Sequence, residues 1–302
     1  MEQTAIPVKD QVREIVETVV EALRVPHVEE NSPLVVANSF EAEGLRAEII
    51  HVGRKLWERQ YVDGNGGNIS VRLGPKYLLC TPTLLSKGDL TPADICLSDL
   101  DGKNLAGDRV LTSELLLHLE IYKANPKARA VVHCHPPYAT AFALTGTVPP
   151  VGLIPEYEVF VGPTVVSPYE TPGTQAFAET VLPYVLEHNT ILLKNHGVVC
   201  WADTVTHAEW QCEIIDTYCK TYLIAKQIGE PLCVIPEDKI DDILRLKRRL
   251  GLPQRLATWR ARQSEGTTSK PTAGMTITFR ALASRSLRLA ASMTAASAVT
   301  SR

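Results

Sequence analysis

A chain of 302 residues with 45% hydrophobic and 22% charged side chains can build one core of about 200 residues plus appendages, or two small domains. Its formal net charge of −3 offers no basic field for nucleic acid or an anionic membrane surface, and no apolar run approaches the roughly 20 residues that span a bilayer. Seven cysteines, an odd number without C-x-x-C spacing, fit reduced buried thiols, and the N-terminus lacks a signal-peptide pattern, so the expected location is the cytoplasm.

Residues 10–23 place Val12, Ile15, Val16, Val19, Val20 and Leu23 at helical spacing opposite Arg13, Glu14, Glu17 and Glu21, which predicts an amphipathic N-terminal helix within residues 1–25. Two prolines and a polar cluster then suggest a linker over 26–38. From Phe40 a helical pattern runs to about Gln60 and ends near G-N-G-G-N at 64–68. Strand-like runs follow (I-S-V-R-L, Y-L-L-C-T and about Ile95 to Leu97), then a helix from Glu114 to about Lys123 and a buried strand, A-V-V-H-C-H. A helix from Pro137, strands near 151–154 and 163–166, and a helix from Pro172 or Thr174 to about Glu187 come next. T-I-L-L-K-N-H-G-V-V-C reads as one buried strand over 190–200, and helices at about 204–228 and 240–246 close a domain over 39–252. Strands and helices are intermixed, so the expected fold is α/β: a central mixed β-sheet flanked by helices in an α/β/α sandwich. The segment 253–302, rich in Ser, Thr, Ala and Arg with no acidic residue after Glu265, is expected to be disordered.

The strand alternation puts His133 and His135 on one face and Cys134 on the other, which suits a shared metal ion. Each could equally be a core histidine bonded to a carbonyl, so the pair alone leaves both readings open. A catalytic zinc commonly takes three protein ligands and keeps one open position, and His196, at the end of I-L-L-K-N-H-G, is the best third candidate. Glu114 follows Thr112 and Ser113 at a helix start, where free N–H groups and the helix dipole favour an anion such as phosphate. An ordinary capping carboxylate would look the same.

The ordered set G-N-G-G-N-I-S-V-R, T-P-T-x-x-x-K-G-x-L-T-P, T-S-E-x-x-x-H, A-V-V-H-C-H, P-Y-E-T-P-G-T and L-L-K-N-H-G resembles the class II aldolase/adducin family over about residues 40–230. Within it the chain looks most like the L-fuculose-1-phosphate aldolases, zinc lyases that split a ketose 1-phosphate into dihydroxyacetone phosphate and lactaldehyde. The resemblance implies one Zn2+ per subunit held by His133, His135 and His196, with Glu114 as the acid/base that can also touch the metal. It implies phosphate binding at Gly67, Asn68, Thr83, Thr112 and Ser113, although Leu84 stands where the family has glycine. A tyrosine assisting proton transfer is not assigned; P-E-Y-E at 155–158 is the nearest stretch.

By resemblance the partner is a small-molecule sugar phosphate and the assembly a homotetramer. The N-terminal helix with its linker resembles the peptides that direct cargo into bacterial microcompartments, where shell proteins would be partners; a helix packed on the enzyme is the other reading. Within the family, 4-epimerases usually carry aspartate in place of Glu114, whereas sugar-acid phosphate decarboxylases and methylthioribulose phosphate dehydratases keep a glutamate. A non-enzymatic adducin-like scaffold would have no use for three histidines and Glu114. An unrelated metallohydrolase would leave the ordered glycine and T-S-E motifs unexplained.

Overall fold

The computed structural model describes residues 32–253, together with the isolated Val16. The rest of the helix expected within 1–25, the start of the linker and the tail beyond 253 lie outside the described residues. The end of the expected linker is a short helix, α1 (Pro33–Ala37). Ser32 accepts a hydrogen bond from the Val35 N–H, and Pro33 has no N–H to leave unpaired at the first helical position. Helix α2 (Phe40–Glu58) is capped by Ser39 and buries Ile49, Val52 and Leu56.

An antiparallel meander follows: β1 (Asn68–Leu73), β2 (Tyr77–Cys80), β3 (Cys96–Asp99) and β4 (Asn104–Ala106). Next come α3 (Leu115–Ala124), β5 (Ala130–Cys134), α4 (Pro137–Thr145), α5 (Pro155–Phe160), β6 (Val165–Ser167) and α6 (Gln175–Glu179). The hairpin β7 (Thr190–Leu193) and β8 (Gly197–Ala202), the long helix α7 (Val205–Ile228) and α8 (Glu237–Arg249) complete the domain. The strands form one sheet in the order β4-β3-β2-β1-β5-β8-β7-β6, antiparallel except for the β6–β7 pair.

Strand alternation sorts the core into two layers. Ala130, Val132 and Cys134 of β5 pack with Val198 and Cys200 against Ile49 and Leu56 of α2, Ala139 of α4, and Cys212 and Ile215 of α7. On the other face Val131 packs with Ile191, Val199 and Trp201 against Leu115 and Leu119 of α3 and Phe177 of α6. This is the expected α/β/α sandwich with a mixed sheet. The seven cysteines are unpaired; six are buried and Cys233 is exposed.

Four local expectations change. Residues 190–200 form a hairpin rather than one strand: Asn195 takes φ +57° and the His196 N–H donates to the Leu193 carbonyl, which reverses the chain. Residues 151–154 are not a strand; Gly152 sits at φ +83° and its N–H is taken by Glu158. The helix expected to reach Glu187 stops at Glu179 and continues as turns. Pro155–Phe160, left without a predicted element, is helical.

Candidate metal centre and its acid–base partner

Three segments far apart in sequence meet at one end of the sheet. β5 lies between β1 and β8, with His133 paired to Asn68 on one side and to Val199 on the other, so its imidazole is fully buried on the α3 face. His135 lies just past the strand end, held by its N–H bond to the Tyr61 carbonyl. His196 enters from the β7–β8 turn. Gly197 beside it does not supply the turn; it allows close approach, since a Cβ there would lie 2.5 Å from the Cys134 carbonyl oxygen and 2.7 Å from His135 Cδ2.

The three rings form a triangle with centroids 4.6 to 5.0 Å apart. One ligand atom from each lies within 4.8 Å of the others, and His133 Nε2 is 3.1 Å from His135 Nε2. The His133 Nδ1–H donates to the Val198 carbonyl at 2.9 Å, which leaves the Nε2 lone pair facing the cluster. His135 turns Nδ1 toward Asp63, 3.6 Å away, and so aims Nε2 inward as well. The Nδ1 atom of His196 is buried and has no hydrogen-bond partner among the described residues.

Burial lowers the pKa of all three rings, reinforced at His133 by its two histidine neighbours; His196 is brought down to about 4. Neutral imidazoles with converging lone pairs are the donor set of a divalent ion. Tetrahedral zinc with bonds of 2.0–2.1 Å places ligand nitrogens about 3.3 Å apart, close to the 3.1 Å between His133 Nε2 and His135 Nε2.

Glu114 occupies the N-cap position of α3, and its carboxylate faces the cluster: Oε2 is 3.3 Å from His133 Nε2 and Oε1 is 3.4 Å from His196 Nε2. Burial raises its pKa, opposed by the Asn68 amide, which donates to Oε2 at 2.7 Å, and by the Lys87 ammonium. A buried carboxyl so placed can take up and release a proton beside a metal-bound substrate.

Of the residues expected to hold phosphate, Asn68 contacts Glu114, and Thr112 and Ser113 precede it in the chain. Gly67 has φ +69°, and a Cβ there would sit 2.6 Å from Val62 Cγ1 and 2.8 Å from the His133 carbonyl oxygen. The Asn68 side chain is turned to Glu114 and His118. The Thr83 N–H donates to the Val110 carbonyl, which fastens its loop to the segment leading into buried Thr112 and exposed Ser113. Leu84 has φ +55°, in the left-handed region that glycine adopts without strain, at a cost of about 1–2 kcal/mol for this side chain.

Three neighbours were not assigned from sequence. Buried Lys87 donates to the carbonyls of Asn65 and Leu85 and so joins the glycine loop to the Thr83 loop; its K-G signal lies within the quoted motif. His118, fully buried, lies one turn after Glu114 and ends T-S-E-x-x-x-H. Nothing in the sequence marked Asp63. Tyr157 of P-E-Y-E is buried and stacked on Tyr218 at 3.7 Å, a core position.

Comparison with known proteins points the same way. The family profile described as "Class II Aldolase and Adducin N-terminal domain" matches residues 47–223. The chain is 33% identical to a 5-deoxy-D-ribulose 1-phosphate aldolase of Bacillus thuringiensis serovar kurstaki, over 66% of this chain and 92% of that protein. It is 32% identical to a 3-oxo-tetronate 4-phosphate decarboxylase of Haemophilus influenzae, over 65% of this chain and 93% of that one. A solved L-fuculose 1-phosphate aldolase superposes with a TM-score of 0.61 at 27% identity, covering 69% of this chain and 97% of the other. With a profile match over more than half its length, the chain belongs to the class II aldolase/adducin family.

Proposed function

We propose that this enzyme of the class II aldolase type is a zinc-dependent lyase that cleaves a ketose 1-phosphate, L-fuculose 1-phosphate or L-rhamnulose 1-phosphate, into dihydroxyacetone phosphate and lactaldehyde. The observation that carries this reading is the convergence of three neutral imidazoles with one buried carboxyl: His133, His135 and His196 cluster together, and Glu114 lies 3.3 Å from His133 and 3.4 Å from His196. A zinc ion held by the three histidines supplies a Lewis acid for the negative charge that develops on substrate oxygens when the carbon–carbon bond breaks.

The chain's own groups do the rest. Gly67, Asn68, Thr83, Thr112 and Ser113 hold the phosphate, which fixes the reacting carbons beside Glu114. Breaking the C3–C4 bond passes the C4 hydroxyl proton to solvent water, from which the Glu114 carboxylate takes one up, and leaves the electron pair shared between C3 and the C2 oxygen. Glu114 then delivers a proton to C3, and in the reverse direction removes it. At neutral pH the histidines carry no protons that would compete with the metal, because burial keeps them neutral.

A second reading, phosphorylated oxo-acid decarboxylation, is favoured by the 32% identity to the Haemophilus influenzae decarboxylase, nearly equal to that with the deoxyribulose phosphate aldolase. Both reactions leave electron density beside a carbonyl and need the same charge stabilisation, so the substrate decides between them. The test is a product assay with the zinc-loaded protein on L-fuculose, L-rhamnulose and 5-deoxy-D-ribulose 1-phosphates and on 3-oxo-tetronate 4-phosphate, with and without chelator. Chelator-sensitive release of dihydroxyacetone phosphate from the first two supports the reading; its absence with all ketose phosphates overturns it, and carbon dioxide release selects the alternative. The reading also carries a homotetramer in the cytoplasm, within a microcompartment where residues 1–25 direct the chain to shell proteins. Light scattering and deletion of residues 1–35 test these two parts.

A further inference from the structure

Glu114 and His118 stand four residues apart at the start of α3, so both side chains leave the same face of the helix. That face meets the first residue of β1, and the Asn68 amide lies between the two. Its Nδ2 donates to Glu114 Oε2 at 2.7 Å, and its Oδ1 is 2.6 Å from His118 Nε2. Behind the ring, His118 Nδ1 is 2.6 Å from Ser70 Oγ, which is itself 2.9 Å from the Tyr122 hydroxyl. All five residues are buried.

The direction of every bond in this row follows from its end. An ionised carboxylate only accepts, so the nitrogen of the Asn68 amide faces Glu114 and the oxygen faces His118. That oxygen also only accepts, so His118 Nε2 carries the ring proton. Complete burial brings the His118 pKa down to about 3, so the ring is neutral and its Nδ1 is bare. Nδ1 therefore accepts the Ser70 hydroxyl proton. Tyr122 donates in turn to Ser70, to the hydroxyl or to the backbone carbonyl 3.0 Å away. Donation runs one way, from Tyr122 through Ser70, His118 and Asn68, and terminates on the carboxylate.

We propose that His118 is a positioning residue which, by donating to Asn68, keeps the amide nitrogen aimed at Glu114 and holds that carboxylate in one orientation over the three histidines. The proposal rests on the acid–base role given to Glu114 above. The two ends of an amide have nearly the same shape, so packing alone does not choose between them. Without the His118 donor, a half-turn of the Asn68 amide would set an oxygen against the oxygens of Glu114. His118 makes one of the two orientations much the better, and the T-S-E-x-x-x-H spacing is what places it there.

The test compares His118→Phe, which fills the space without donating, with His118→Gln, whose terminal amide can donate to Asn68. His118→Phe is expected to lower kcat by about 10–100-fold, the usual effect of an outer partner of a metal site, with KM within about threefold and zinc content unchanged. His118→Gln should recover most of that loss. A crystal structure of the Phe variant should show the Asn68 side chain and the Glu114 carboxylate displaced from their wild-type positions while His133, His135 and His196 stay in place.

One readout needs no substrate: a two-bond proton–nitrogen spectrum of the histidine rings in the wild-type zinc protein. It should show one neutral ring protonated at Nε2 and bare at Nδ1 from about pH 5 to about pH 8. The opposite tautomer, or a Gln variant as impaired as the Phe variant with Asn68 unmoved in both, overturns the proposal. If the wild type turns over no ketose phosphate, the substrate assignment fails, yet the tautomer and the Asn68 orientation still decide this inference. The tautomer and the Gln variant also decide it if the Phe variant does not fold.

Discussion

Replacing Glu114 by Gln keeps the shape of the side chain and an oxygen for the Asn68 donor, but removes the charge and the transferable proton. Burial holds this carboxyl above its ordinary value of 4.5, so over a window above 4.5 the folded chain keeps a proton that the unfolded chain has released. The stability it contributes is therefore fully present below 4.5 and is lost as pH rises through the raised folded value. At neutral pH the ionised carboxylate burdens the metal-free fold, and Glu114→Gln should raise the Tm of metal-free protein, the gain shrinking toward pH 4. The same substitution should lower kcat by roughly 10²- to 10⁴-fold, about 2.7–5.5 kcal/mol on the barrier, because the proposed general acid/base is lost. Zinc content should be unchanged, since the three histidines remain. Scanning calorimetry of chelator-treated protein at several pH values, metal analysis and turnover of the zinc-loaded enzyme measure the three effects. Wild-type turnover, or a Tm at neutral pH below that of the wild type, would refute the reasoning.

His196→Ala removes one corner of the histidine triangle and should reduce bound metal to below about a tenth of the wild-type content, with activity falling alongside; undiminished metal in the variant argues against the assignment. Gly197→Ala pushes a methyl group against the Cys134 carbonyl and His135 Cδ2 and should cost about 1–3 kcal/mol in denaturant unfolding while weakening zinc retention; a neutral result in both would show that the close approach is dispensable. Lys87 is held at about 8 by burial, against 10.5, so between those values the unfolded chain holds a proton that the folded chain has released. Wild-type stability should therefore rise with pH through that window relative to Lys87→Met, and a flat difference between the two unfolding curves would contradict it.

Much of the site was legible because strand periodicity and motif order are local. Alternation puts His133 on the α3 face with His135 just past the strand end, and Glu114 precedes α3 by the ordinary logic of a helix start. The readings that failed depended on partners or turns. An unbroken apolar pattern over 190–200 hides a reversal at Asn195, and the apolar run 151–154 is turned at Gly152, which takes φ +83°. Leu84 reads as an ordinary apolar residue until its backbone is seen in the left-handed region. His118 and Lys87 carry their meaning only in what they touch. A buried histidine is ordinary until its two nitrogens are found between Asn68 and Ser70, and a lysine is ordinary until its ammonium joins two loops.

The sequence by itself determined the residue types and their order: three histidines, a glutamate after Thr-Ser, a glycine-asparagine turn, and strand and helix periods that imply a mixed sheet between helices. Only the tertiary structure decided that His196 comes within ligand distance of residues more than sixty positions earlier, and that the Asn68 side chain faces Glu114. The reason is physical. Periodicity reports which face of an element is apolar, whereas distances between elements follow from sheet register and close packing, here the pairing of β5 with β1 and β8 and the missing side chain at Gly197.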